Sequence, residues 1–149
     1  MILNTHQKNI ATFIHLSTFS RFIIPLGNFI GPIILWVSNK DKSEFIDAHG
    51  KQAINFQISM LLYAIVLGTL AVPFFIFKII GSFDFIDFNG FHNFHISLDK
   101  PSPLLYIGGG LGVIAVLAFI IELALIVIAS LKARDGEMYN YPFTINFIK

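Results

Sequence analysis

The chain of 149 residues is 55% hydrophobic and only 13% charged, and its formal net charge is +1. Because a soluble domain carries about 25% charged residues, this composition excludes an ordinary water-soluble globule and predicts an all-α membrane protein. It also excludes a basic surface for nucleic acid, and the absence of cysteine excludes disulfides and thiolate chemistry.

Three apolar segments follow in chain order, at about residues 10–37, 54–80 and 104–131. Each is long enough for a membrane span, since a bilayer core of about 30 Å needs about 20 helical residues. We therefore predict a three-segment transmembrane helical bundle that forms a single integral membrane domain over residues 1–149.

The first segment is the irregular one, because prolines and glycines interrupt it around Pro25 and Pro32. Broken backbone inside a membrane is tolerated only against protein or a wet cavity. A kinked full span and a re-entrant hairpin with both ends on one side both remain open, and the kinked span is the favoured prediction.

The charges of the polar loops and of the tail predict how the protein is oriented in the membrane. Loop 38–53 and tail 132–149 each hold three Lys or Arg residues, whereas loop 81–103 holds only Lys100. Since Lys and Arg concentrate on the cytoplasmic side, the sequence predicts a cytoplasmic loop 38–53, a cytoplasmic tail 132–149 and an outer loop 81–103.

Arg21 and Glu122 are the charged residues deepest within apolar segments, where charges are costly and usually face a protein interior. Along straight helices, Asn28 matches the depth of Glu122, whereas Arg21 reaches it only if the chain unwinds near Pro25 or the side chain reaches back. We predict an intramembrane polar cluster, read either as a packing device or as an ion-handling site. Its members are Arg21, Asn28, Asn55, Gln57 and Glu122.

Small residues in the third segment recur on the helical face that carries Glu122. Such a stripe lets another helix approach closely. The predicted helix-packing face consists of Gly108, Gly112, Ala115 and Ala129.

The outer loop contains His92 and His95 near two aspartates, which is a weak pattern for a metal site. Five phenylalanines in the same loop favour an aromatic anchor at the membrane interface instead. No metal and no cofactor is predicted.

The tail after Gly136 alternates apolar and polar residues, which is typical of an extended segment with one apolar face. Pro142 argues against an interior strand. We expect the tail to lie along the cytoplasmic interface or to cover the helix ends, while a partner strand added to it stays an alternative.

Three runs of residues carry a family resemblance. The first is Pro25-Leu26-Gly27-Asn28, continued by Ile30-Gly31-Pro32 and Leu35-Trp36; the second runs from Asp47 to Gln57; the third joins Lys132-Ala133, Gly136-Glu137 and Tyr141-Pro142. Together they resemble the DUF4870 family, which is described as similar to Tic20 and to the magnetosome MamF/MmsF proteins. The signature residues are Pro25, Gly27, Asn28, Pro32, Trp36, His49, Gly50, Lys51, Asn55, Gly136, Glu137, Tyr141 and Pro142.

The resemblance implies a multi-pass protein of the bacterial cytoplasmic (inner) membrane. Together with the small size and the lack of a catalytic motif, it favours a non-enzymatic subunit or scaffold that assembles with other membrane proteins or with itself, in translocation or transport. The alternative is a small oligomeric carrier of ions or protons that uses Glu122 and Arg21. Expected partners are lipid and membrane proteins, with no nucleic acid.

Overall fold

The computed structural model describes the backbone of residues 3–80, 86–88, 94–96 and 103–149, with side chains for residues 3–72 and 106–149. By contact density the chain forms two compact units. The first unit combines Met1–Tyr63 with Ile120–Lys149, and the second is Ala64–Phe119.

Within the described residues the fold is helical apart from one short strand pair. That pair, Ile86–Phe88 (β1) and Phe94–Ile96 (β2), is antiparallel with Asp87 opposite His95. The prediction of an all-α fold class is confirmed by the helices, which are α1 (Thr5–Leu16), α2 (Gly27–Val37), α3 (Glu44–Ile80) and α4 (Pro103–Asp135).

Two helices are long and apolar enough to cross a membrane. They contain the stretches Glu44–Val72 and Tyr106–Asp135, of 29 and 30 residues, with mean hydropathies of 1.7 and 3.0. Most side chains of residues 61–72 and 106–121 are exposed and apolar, which suits contact with lipid. These helices correspond to the second and third predicted segments.

The first predicted segment does not form one kinked helix. Helix α1 continues into a 3-10 turn, Ser17–Phe22, and a bend at residues 23–26 precedes α2. Leu26 sits in the left-handed region, with φ of 59°. The two legs pack against each other, so the segment is a helical hairpin. The three-segment transmembrane bundle is therefore not confirmed, and the way in which the first segment enters the membrane, as a full span or re-entrant, stays a prediction.

The hairpin legs touch through small residues. A Cβ added at Gly27 would lie 2.4 Å from the backbone carbonyl of Ser20, and one added at Gly31 would lie 2.7 Å from the carbonyl oxygen of Ser17. The Ser20 hydroxyl also donates to the Gly27 carbonyl at 2.6 Å. This hydrogen bond and the close approach together explain why the chain folds back here.

The hydrophobic core lies in the first unit and joins the hairpin, the start of α3, the end of α4 and the tail. Phe56 packs with Ile126 and stacks on Tyr141, their ring centroids 4.1 Å apart. Phe45 packs with Ala11 and Ala133 in a second cluster. Fully buried Ile14 and Ile46 form a third.

The predicted helix-packing face is only partly used. Ala129 is fully buried, whereas Ala115 is exposed, Gly108 is half-buried and a Cβ added at Gly112 would meet no atom within 4 Å. Gly112 and Ala115 are therefore uncovered in the described residues, and their role in helix packing stays a prediction. Small residues permit a close approach, but a neighbouring helix must also be present to use it.

Candidate functional site

A partly buried polar network joins the hairpin to both long helices. Arg21, in the 3-10 turn, forms an ion pair with Glu122 of α4. The Arg21 Nη2 atom also donates to Gln57 Oε1 of α3 at 3.3 Å, and Asn28 Nδ2 donates to the same oxygen at 2.9 Å. We call these four residues the deep network.

The deep network is largely shielded from its surroundings. The Arg21 and Glu122 side chains are 19% and 12% exposed, and Gln57 is buried. An ion pair in such a place stabilises mainly because either charge alone would be costly. The unwound chain before α2 is what lets Arg21 reach Glu122.

Four of the five predicted cluster members thus lie together, while Asn55 does not join them. Asn55 and Gln57 are two residues apart on α3, which places their side chains about 200° apart around the helix. Asn55 instead binds the C-terminal tail. The matching depth of Asn28 leads to a contact with Gln57 rather than with Glu122.

A second buried cluster consists of His15, His49 and Tyr141, which we call the histidine chain. His15 Nε2 lies 2.8 Å from His49 Nδ1, and the Tyr141 hydroxyl lies 2.9 Å from His15 Nδ1. Both histidines are fully buried and Tyr141 is 5% exposed. The chain ties together one residue each from α1, α3 and the tail.

Each of the two hydrogen bonds in the histidine chain needs one donor and one acceptor. Neutral groups satisfy both contacts when Tyr141 donates to His15 and His15 donates to His49. The Glu137 backbone also interacts with the His49 ring, whose Nε2 atom is buried. Sequence reasoning did not group these residues, since their separations of 34 and 126 positions carry no local signal.

The Tyr141 phenol gives this cluster a pH signature. Burial raises its pKa well above the usual 10.0, and repulsion from Tyr139 and Glu122 adds to the effect. A raised folded-state pKa gives stability that is complete below pH 10 and is lost above it. We expect wild-type stability, relative to Tyr141→Phe, to fall by up to about 1.4 kcal/mol per pH unit above pH 10. If the free energies of unfolding of the two proteins change with pH in the same way from pH 8 to 11, this expectation is contradicted.

The first and second signature runs, residues 25–36 and 47–57, contact each other. Trp36 Nε1 donates to Asp47 Oδ1 at 2.8 Å, and Lys51 pairs with Asp47 Oδ2 at 2.6 Å. A Cβ added at Gly50 would lie 2.1 Å from Trp36 Cδ1. The absence of a side chain at Gly50 is therefore what admits the indole.

The third signature meets the start of the chain. Gly136 ends α4 with φ of +86°, and a Cβ there would lie 2.8 Å from the Lys8 side chain. Lys8 Nζ donates to the Asp135 carbonyl at 3.3 Å, and Glu137 pairs with Lys132 at 2.5 Å. Pro25 and Pro142 lie in exposed turns, whereas Pro32 is buried in α2.

The tail lies as an extended strap along α3. Asn55 forms a pair of hydrogen bonds with the backbone of Ile148, at 2.9 and 3.0 Å. Ser59 Oγ accepts from the Ile145 backbone at 2.9 Å, and the Tyr63 hydroxyl donates to the Phe143 carbonyl at 2.7 Å. The tail therefore covers the side of α3 rather than only the helix ends.

This strap explains a stripe of polar residues along one face of α3. Asn55, Ser59 and Tyr63 are spaced four residues apart, so they share one face. The extended tail forms no helix or sheet of its own to pair its backbone groups, and these three side chains supply hydrogen bonds to it. The polarity of this stripe is thus structural.

Replacing Asn55 with leucine is expected to free the end of the tail. The change removes both hydrogen bonds to Ile148, each of which contributes about 1 kcal/mol net. Carboxypeptidase should then trim the C-terminus faster than in wild type. An equal rate would contradict the strap, and exposed Asn146→Leu provides the matched control.

Among residues 3–72 and 106–149, no group of three or more His, Cys, Asp or Glu side chains could hold a metal ion. Of the weak metal candidates, His92 lies outside the described residues. His95 is described only by its place in β2.

Residues 6–148 match the MamF/MmsF family, described as the magnetosome magnetite crystal formation protein family. The chain belongs to the MamF/MmsF family. No curated protein and no solved structure matches it.

The match covers α1, both long helices and the tail, so it includes both buried polar clusters. It agrees with the magnetosome part of the resemblance drawn from the three signatures. The DUF4870 and Tic20-like parts stay predictions. Membership together with two apolar helices makes this a membrane protein.

Proposed function

We propose that this chain is a non-enzymatic membrane subunit that contributes to magnetite crystal formation by assembling with other membrane proteins, or with copies of itself, in the bacterial cytoplasmic membrane. The observation that carries the proposal is the family match over residues 6–148. A match of that extent relates the whole folded unit to the family rather than a single shared motif.

The buried polar groups support a scaffold. Arg21 is paired with Glu122, and the histidine chain bonds internally. These contacts hold the hairpin, the long helices and the tail together. The polar side chains of loop 38–53 and the apolar helix surfaces are then the parts available to partners.

The proposed orientation follows the distribution of Lys and Arg. Loop 38–53 and tail 132–149 are placed in the cytoplasm. Because Lys8 contacts the end of α4, the N-terminal part of α1 belongs on the same side. In this arrangement two helices cross the membrane and the hairpin returns to the side from which it enters.

Expression in a magnetite-forming bacterium stripped of its own MamF/MmsF genes tests the role. We expect crystals to regain length and number, as measured by electron microscopy, relative to the same strain with empty vector. Unchanged crystals, with the protein present in the membrane at normal amounts, would overturn the role. Gly68→Ala, at an open position on a long helix, serves as the matched functional control.

Crosslinking followed by native electrophoresis tests assembly. A scaffold should migrate in a complex of fixed size that contains other membrane proteins or several copies. A lone monomer under mild extraction would contradict the proposal, and this outcome is independent of the crystal measurement.

The alternative is a proton- or ion-linked carrier, favoured by the presence of Arg21 and Glu122 in the deep network. Against it, residues 107–121 contain no polar side chain and residues 64–77 contain only Thr69. A proton at Glu122 would therefore lack side-chain partners along these stretches. We expect proteoliposomes to show no proton flux above protein-free vesicles. A flux that Glu122→Gln abolishes would favour the carrier.

A further inference from the structure

We propose that the hairpin, residues 5–37, inserts into only one membrane leaflet, the one on the side of loop 38–53, and makes the protein prefer membranes that are convex on that side. The ligand is lipid acyl chain. This inference rests on the geometry of the hairpin and does not depend on a role in crystal formation.

Both ends of the hairpin lie beside the same ends of the long helices. At its start, Lys8 binds the carbonyl of Asp135, the last residue of α4. At its end, Trp36 binds Asp47, which is in the first turn of α3. The two ends of the hairpin therefore lie at the same level along the long helices, so the hairpin enters and leaves the membrane on one side.

The tip of the hairpin reaches only part of the way along those helices. Its deep contacts are with Gln57 and Glu122, each 13 residues (57 − 44 and 135 − 122) from the helix ends Glu44 and Asp135. At 1.5 Å per residue this is about 20 Å. The apolar stretches of 29 and 30 residues are about 44 Å long by the same measure.

The lengths of the legs agree with that depth. Helix α1 has 12 residues and α2 has 11, or about 18 and 17 Å. Neither can cross a hydrocarbon core of about 30 Å, but each is sufficient for half of it.

The outer surface of the hairpin is apolar. At the tip, Ile23 is 86% exposed and Leu26 is 66% exposed, while Phe13 and Ile34 on the two legs are 58% and 59% exposed. Arg21 is the only Asp, Glu, Lys or Arg between residues 9 and 37, and it faces inward to Glu122. Because apolar exposure covers both legs and the tip rather than one stripe, acyl chains are the occupant that fits.

Two helices confined to one leaflet displace lipid on that side only. Apolar segments inserted to a shallow depth bind in a curvature-dependent way, because a convex leaflet has more room between its headgroups. The expected result is enrichment where the leaflet that holds the hairpin lies on the outside of a bend.

Membrane tubes pulled from giant vesicles test this with the full-length protein. The fluorescently labelled protein is reconstituted, and protease access to loop 38–53 identifies vesicles with that loop outside or inside. We expect at least about twofold enrichment in outward tubes when the loop is outside, and depletion when it is inside. The reversed population is an internal control that needs no mutation.

Two outcomes would overturn the proposal. Equal density on tube and vesicle in both orientations would overturn the proposal. Enrichment in both orientations would overturn it too, because it would show sorting without a preferred leaflet. Loss of the crystal phenotype with normal sorting would count only against the proposed function.

Discussion

Replacing Glu122 with leucine should lower the free energy of unfolding by about 3 kcal/mol. The substitution leaves Arg21 charged in a site that is 19% exposed, with only the Gln57 carbonyl oxygen remaining as a partner at 3.3 Å. Steric trapping in bicelles measures the change.

Arg21→Met should also destabilise the protein, because it leaves the Glu122 carboxylate without its ion-pair partner. The double variant should recover part of the loss, since it leaves no charge unpaired. If the double variant shows the sum of the two single effects, the pair does not hold the hairpin to α4.

Replacing Gly27 with alanine should destabilise the protein by about 1–3 kcal/mol. The added Cβ meets backbone atoms of Ser20 at 2.4 Å, and backbone cannot rotate away as a side chain does. The two hairpin legs must then separate, which also lengthens the hydrogen bond from the Ser20 hydroxyl to the Gly27 carbonyl. The same unfolding assay applies.

The matched control is Gly68→Ala on α3, where no atom lies within 4 Å of the added Cβ. Alanine is the better helix former by about 0.5–1 kcal/mol, so this change should be neutral or stabilising. The two substitutions are chemically identical and should have opposite signs. A Gly27→Ala protein as stable as wild type would show that the legs are not in close contact.

The two long helices were predictable because hydropathy over about 20 residues depends on the local sequence alone. The break in the first segment was also visible, since Pro25 and the nearby glycines interrupt it. Its fold-back was kept only as the alternative to a kinked span. The choice between them depends on the contact between Ser20 and Gly27, which helical periodicity does not report.

The deep network was predicted in large part, because an intramembrane charge must find a partner. Asn55 was assigned to it by depth, although its separation from Gln57 around the helix argues against a shared face. The bonds from Asn55 to Ile148 needed the position of the tail, which becomes defined only in the folded chain. The histidine chain was missed for the same reason.

The packing face illustrates a different limit. Gly112 and Ala129 lie on the same predicted stripe, yet only Ala129 meets neighbours in the described structure. Spacing reports which residues share a side of a helix. Whether another element covers that side is a property of the whole fold.

The central test is a measurement of the side of the membrane on which the chain begins. The protein has no native cysteine, so Thr5→Cys and Asp41→Cys each introduce a single label at an exposed position. An impermeant maleimide applied to membranes of known orientation should modify both positions from the same side, because the hairpin returns to where it entered. Modification of position 5 and position 41 from opposite sides would show that the first segment crosses the membrane and would contradict the hairpin.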